Sequence, residues 1–139
     1  MKKPIILFAI KCSVILYFAA CTGINEYATA VSATPFITNG IWKVNLFLES
    51  ENDNTMVFDG YTLKFEPTGK IIVFKNGKEI SGNWAEDDIS KKMTISLHTK
   101  DPALAKLNNY WTISKITKAG LSLQNTEDPS TGLLQITNL

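Results

Sequence analysis

Gly40-Ile41-Trp42-Lys43-Val44-Asn45-Leu46-Phe47-Leu48 is the stretch that decides the fold. Trp42, Val44, Leu46 and Leu48 fall on one side of an extended chain, and Lys43 and Asn45 on the other. Alternation of apolar and polar residues with a period of two marks a strand with one face in a core. The same rhythm returns downstream. Tyr61, Leu63 and Phe65 share a face, as do Ile80, Gly82 and Trp84, then Met93, Ile95 and Leu97. Trp111 with Ile113 and Leu121 with Leu123 continue it, and residues 133–139 close the chain as a last strand. The run Ile71-Ile72-Val73-Phe74 is β-branched and aromatic and reads as a strand too.

The connections are short and polar. Glu49 to Asn54 is a polar loop, residues 55–58 read as a short extension, and Asp59-Gly60 and Pro67-Thr68-Gly69 are turns. Asn76-Gly77 is the strongest hairpin signal, because a type I′ turn needs positive φ at both central residues. Residues 102–107 carry the one helical rhythm: Asp101 can cap it, and Pro102 suits its first position. About eight strands over residues 40–139, without a crossover helix, predict an all-β domain: a small antiparallel up-and-down barrel.

The chain has 139 residues, 14 Lys, no Arg, 13 acids and one His, for a net charge of +1. That balance argues against a nucleic-acid partner, and the lack of Arg removes the guanidinium fork used for phosphates and guanine edges. No cofactor is expected. A zinc site needs several His or Cys ligands, so no metal site is expected either. His98 has Ser96 on its own strand face, but the pair reads as polar residues on an outer wall, and no catalytic residue is assigned. The acidic groups Glu49, Glu51 and Asp53 and Glu86-Asp87-Asp88 lack a calcium-loop pattern and read as solvating charge.

Residues 1–20 have the layout of an export signal. Met1-Lys2-Lys3 is positive, residues 4–20 are apolar apart from Lys11, and Ala19-Ala20 precede Cys21. The apolar stretch is at the short limit for a membrane span and carries Lys11 in its middle. Phe18-Ala19-Ala20-Cys21 resembles the bacterial lipobox, which implies that Cys21 is lipidated and becomes the first mature residue. The alternative is an ordinary signal peptide cut after Ala20, Ala30 or Ala33. Losing Lys2, Lys3 and Lys11 leaves 11 Lys against 13 acids. Cys12 leaves with the leader, so no intrachain disulfide is possible. Residues 21–39, rich in Thr, Ala and Ser, read as the lipidated Cys and a flexible tether. Thr22 at the position after Cys21 implies, by resemblance to enterobacterial sorting, an outer-membrane location.

Gly40-Ile41-Trp42 resembles the Gly-x-Trp signature of lipocalins, whose Trp plugs the closed end of an eight-stranded barrel. Trp42-Lys43-Val44, then Tyr61-Thr62-Leu63-Lys64-Phe65, then Gly82-Asn83-Trp84 are similar to the compact lipocalin-like lipoprotein domains of Bacteroidetes. Small barrel lipoproteins that inhibit lysozyme are a more distant likeness. The resulting expectation is a non-enzymatic envelope lipoprotein, membrane-attached through Cys21, that binds a small apolar ligand. Trp42, Tyr61, Leu63, Trp84, Met93 and Trp111 are the candidate ligand-binding residues. The alternative is an inhibitor or protein-interaction module docking on another envelope protein through an outer strand face, where Phe47, Ile72, Phe74 and Tyr110 are expected.

Overall fold

The alternating segments become paired strands in the computed structural model, which describes residues 31–139. They are β1 (Trp42–Glu49), β2 (Asn52–Asp53), β3 (Thr62–Phe65), β4 (Lys70–Lys75), β5 (Lys78–Asp87), β6 (Lys92–Leu97), β7 (Asn109–Ile116), β8 (Gly120–Asn125) and β9 (Gly132–Asn138). Two helical turns, α1 (Thr34–Ile37) and α2 (Pro102–Ala105), and a 3₁₀ turn, Thr55–Phe58, complete the order. Every strand pairing is antiparallel. The two-residue β2 is a spur on β1. The other eight strands follow one another round a wall that closes where β1 pairs with β9, from Trp42↔Asn138 to Glu49↔Gly132. This is the expected up-and-down barrel. The leader and Cys21 lie outside the described residues.

The local signals explain the corners. Asn76 and Gly77 both have positive φ, 51° and 74°, as a type I′ turn requires. The Asp101 carboxylate accepts the Ala103 N–H at 2.8 Å, capping α2 with Pro102 in its first turn. The helix ends at Ala105, two residues short of the expected bound, but Leu107 just beyond it is fully buried. Gly40 has φ 109°, and a Cβ there would meet the Asn138 side-chain amide at 2.7 Å. A glycine two residues before Trp42 is thus fixed by backbone conformation and by crowding at once.

Three expectations are corrected. Phe47 does not face outward. The β1–β9 register shifts between Val44 and Leu46, so Asn45 is an extra residue and the alternation changes phase. Leu46 then pairs with Gln135 on the outside, while Phe47 pairs with the buried Leu134 and is 3% exposed. Residues 55–58 form a 3₁₀ turn instead of an extension, and it carries the buried Phe58 against Phe47, edge to face at 5.1 Å. The stretch read as tether is packed in its described part: Ala33, the residue before α1, and Ile37, its last residue, are 0% and 1% exposed.

We call the end holding the start of β1 the base and the opposite end the mouth. The base carries α1 and the β3–β4, β5–β6 and β7–β8 turns. The mouth carries the 3₁₀ turn, α2 and the Asn76-Gly77 turn. One apolar cluster runs between them, from Ala33 and Ile37 through Trp42, Phe65, Met93 and Trp111 to Phe58, Leu104 and Leu107. Among the described residues no polar or charged side chain is buried, and no buried side-chain N or O lacks a partner.

Candidate functional site

The filled core decides where a site can be. Leu63 and Met93, at 1% and 0% exposure, belong to the interior cluster and not to a cavity wall. The three indoles are also built into the wall. Trp42 donates its Nε1–H to the Ile37 carbonyl at 2.8 Å, Trp84 to that of Glu66 at 2.9 Å, and Trp111 to that of Leu107 at 3.0 Å. Trp84 also meets Phe65 edge to face at 5.6 Å. An indole whose face is packed and whose only donor is satisfied has nothing left to offer a ligand. Of the six residues expected to bind one, only Tyr61 borders open space.

That space is a cleft of about 320 Å³ at the mouth, lined by Tyr61, Val73, Lys75, Asn76, Lys78, Ile80 and Asp101. Its position follows from the sequence around it. Val73 and Ile80 face each other across the β4–β5 ladder and form an apolar floor. The Asn76-Gly77 turn lifts Lys75 and Lys78 above that floor as a cross-strand pair. Tyr61 precedes β3 and leans toward α2. The Tyr61 hydroxyl donates to the Asp101 carboxylate, whose other oxygen caps α2. The Lys75 ammonium sits 4.2 Å from the centre of the Tyr61 ring, a cation–π contact.

These contacts set the charges of the cleft. The hydrogen bond from Tyr61, then that from the Ala103 N–H, hold the Asp101 carboxyl below its ordinary value. The same bond to Asp101, with some desolvation, pushes the Tyr61 phenol up. The cleft therefore presents an apolar floor, one aromatic wall with the Lys75 ammonium over it, a fixed carboxylate bonded to that wall, and Lys78 on the hairpin rim. That arrangement can hold a small molecule with an apolar body and an anionic group.

A second cleft, of about 260 Å³, lies at the base beside Val31, Glu86, Lys91, Ile113 and Ile116. Glu86, expected as solvating charge, has a structural task there. Its carboxylate accepts from the Ser32 hydroxyl at 2.9 Å, the Ala33 N–H at 2.5 Å, the Thr34 N–H at 2.8 Å and the Thr34 hydroxyl at 2.5 Å. Burial pushes its pKa up, but these donors outweigh burial and hold it below the ordinary value. Of the other acidic group, Glu49 pairs with Lys106 beyond α2.

The sequence reading missed Lys75, Lys78 and Asp101 as neighbours of Tyr61. Each carried a local signal only, as turn flank or helix cap. Ile72 is buried on the outer wall and Phe74 half-buried, so with Phe47 inside, the expected outer patch reduces to Tyr110 at 60% exposure.

No protein-family model and no curated protein matches the chain. Solved structures do share its fold. A DUF4847 family protein from Bacteroides vulgatus superposes with a TM-score of 0.57 at 14% identity, over 76% of this chain and 96% of that one. A lipocalin-like protein from Bacteroides uniformis gives 0.54 at 12%, over 73% and 98%. An uncharacterized protein from Bacteroides eggerthii gives 0.51 at 11%, over 72% and 98%. The domain thus has the lipocalin-like barrel fold.

Proposed function

We propose that the protein is a non-enzymatic lipoprotein of the bacterial envelope, exported by residues 1–20 and anchored to the outer membrane through lipid on Cys21. Its domain binds a small amphiphile at the mouth of the barrel, not inside it. The observation that carries this reading is the cleft over Val73 and Ile80, with Lys75 and Lys78 on its rim, above an interior already filled with side chains. A volume near 320 Å³ is at the small end for ligand sites. It suits a short apolar chain or single ring bearing a carboxylate or phosphate. The lipocalin-like fold of the Bacteroides uniformis protein is consistent with a site at a barrel mouth.

Native mass spectrometry on the full protein extracted from its own host tests both parts. An acyl mass on Cys21 is expected, together with a further discrete mass that organic extraction removes. Lys78→Glu, an exposed change, should abolish that second mass. A protein carrying no added mass, or a mass that Lys78→Glu retains, overturns the mouth site. An unmodified Cys21 overturns the anchor.

A further inference from the structure

The two ends of the barrel differ in charge as well as in closure. Six exposed lysines ring the base: Lys43, Lys70, Lys91, Lys92, Lys115 and Lys118. Four acids share that end, Glu66, Glu86, Asp87 and Asp88, and Glu86 is turned inward onto Ser32, Ala33 and Thr34. At the mouth acids outnumber lysines instead: Glu51, Asp53, Asp59, Glu79, Glu127 and Asp128 are exposed there, beside Lys75, Lys78, Lys100 and Lys106. Exposed apolar side chains occur at both ends: Met56, Val57 and Tyr110 lie toward the mouth, and four others stand among the lysines of the base. Ile89, at the tip of the β5–β6 turn, is 89% exposed, and Val31, Ile41 and Leu139 at the same end are 57%, 44% and 69% exposed.

We propose that the base is a lipid-apposed surface, which rests its lysines on anionic phospholipid headgroups and places Ile89 in the interfacial layer. Charge complementarity favours a lipid surface bearing anionic headgroups, and scattered apolar tips among lysines suit the boundary between headgroup and acyl chain. The path of the chain points the same way. The N-terminal segment enters at the base, where Glu86 grips it at residues 32–34. Nine residues lie between Cys21 and Val31, a span of at most about 36 Å from anchor to domain. An acyl chain on Cys21 draws this end, and not the mouth, to the bilayer. The mouth cleft then faces away from the membrane. This inference rests on the reading of Cys21 as an anchor.

The full chain, reconstituted into vesicles, tests it. One set is phosphatidylcholine, part of it brominated in the acyl chains, and a second adds phosphatidylglycerol. An environment-sensitive fluorophore is attached to Ile89→Cys or Met56→Cys; both positions are highly exposed, at 89% and 81%, so the core is untouched. The label at position 89 should be quenched by bromolipid, and that at position 56, beside the mouth, should not. Phosphatidylglycerol should widen the difference, and Lys91→Glu with Lys92→Glu should weaken it on the order of tenfold. High salt should narrow it. Equal quenching, stronger quenching at position 56, or indifference to lipid charge overturns the proposal. A blue shift at position 89 that needs no lipid and grows with protein concentration assigns the base to a second copy and overturns it too. Intact mass reports Cys21 separately. If it is free, the anchor reading fails, and the same two labels on the Cys21→Ser chain with excess vesicles still read the face.

Discussion

The base and the mouth of this barrel are closed by different chemistry. At the base, a segment far away in sequence is held by one carboxylate that accepts four hydrogen bonds, while Ile37 fills the opening beneath it. At the mouth, closure is apolar: Phe58, Leu104 and Leu107 plug the opening, and polar contacts such as Lys106 to Glu49 lie on the rim. A tryptophan ties each cap to the wall, Trp42 through Ile37 and Trp111 through Leu107. The carboxylate clasp is directional and depends on pH. The apolar plug is neither, and it leaves a cleft on one side where its helix does not reach the β4–β5 hairpin. One end is held by directed hydrogen bonds to a single carboxylate and the other by apolar packing.

The largest expected difference comes from the base. Trp42→Ala removes a side chain that is 1% exposed and the hydrogen bond that holds α1. It should cost about 3–5 kcal/mol in urea unfolding. An unchanged midpoint would show that α1 does not depend on it. Leu104→Ala at the mouth should cost about 2–4 kcal/mol, since Leu104 is fully buried but lies under a short helix that can settle. If it equals or exceeds Trp42→Ala, the mouth plug is the stronger closure.

Glu86→Gln should cost about 1.5–3 kcal/mol at neutral pH, because an amide has one oxygen for four donors. The pH dependence has a definite sign. Glu86 titrates below its ordinary 4.5 in the folded protein, so its contribution is present above that value and is lost as pH falls through the lowered one. The variant should therefore converge on the parent in acid. A constant gap across that range would mean that the charge is not what holds the segment.

The smallest effect belongs to the mouth. Tyr61→Phe should cost less than about 1 kcal/mol, since the hydroxyl and its Asp101 partner are largely solvated. The Tyr61 phenol is raised above 10.0. Its contribution is therefore present below that value and lost as pH rises through the raised one. The gap should close on the alkaline side, the opposite flank from Glu86→Gln. Closure on the acid side as well would report Asp101, whose carboxyl is lowered by the same bond.

The two ends also differed in how much the sequence disclosed. The wall was legible, because period-two alternation and Asn76-Gly77 act over a few residues. The caps were not. Thr34-Pro35-Phe36-Ile37 has no visible period, and its conformation depends on Glu86, more than fifty residues away. Two signals were present: Pro35 in the first turn of a helix, and Ala33 and Ile37 spaced four apart. The bulge at Asn45 left no local mark, since it arises from how β1 must meet β9. Strand reading placed Tyr61 on the correct face, but the lysines and carboxylate around it come from two separate turns, the Asn76-Gly77 hairpin and the start of α2, that only the closed barrel brings beside it.

The seam between β1 and β9 has a further effect in time. It joins Trp42 to Asn138 and Leu139 to Ile41, nearly the first and last residues of the domain. Loop closure over almost a hundred residues is entropically slow and comes after the hairpins have formed. A chain emerging N-terminus first therefore holds an open, curling sheet with two unpaired edges until β9 arrives. Removing even the final strand should leave no smaller folded state, and until that strand is delivered the chain depends on its surroundings to keep those edges apart.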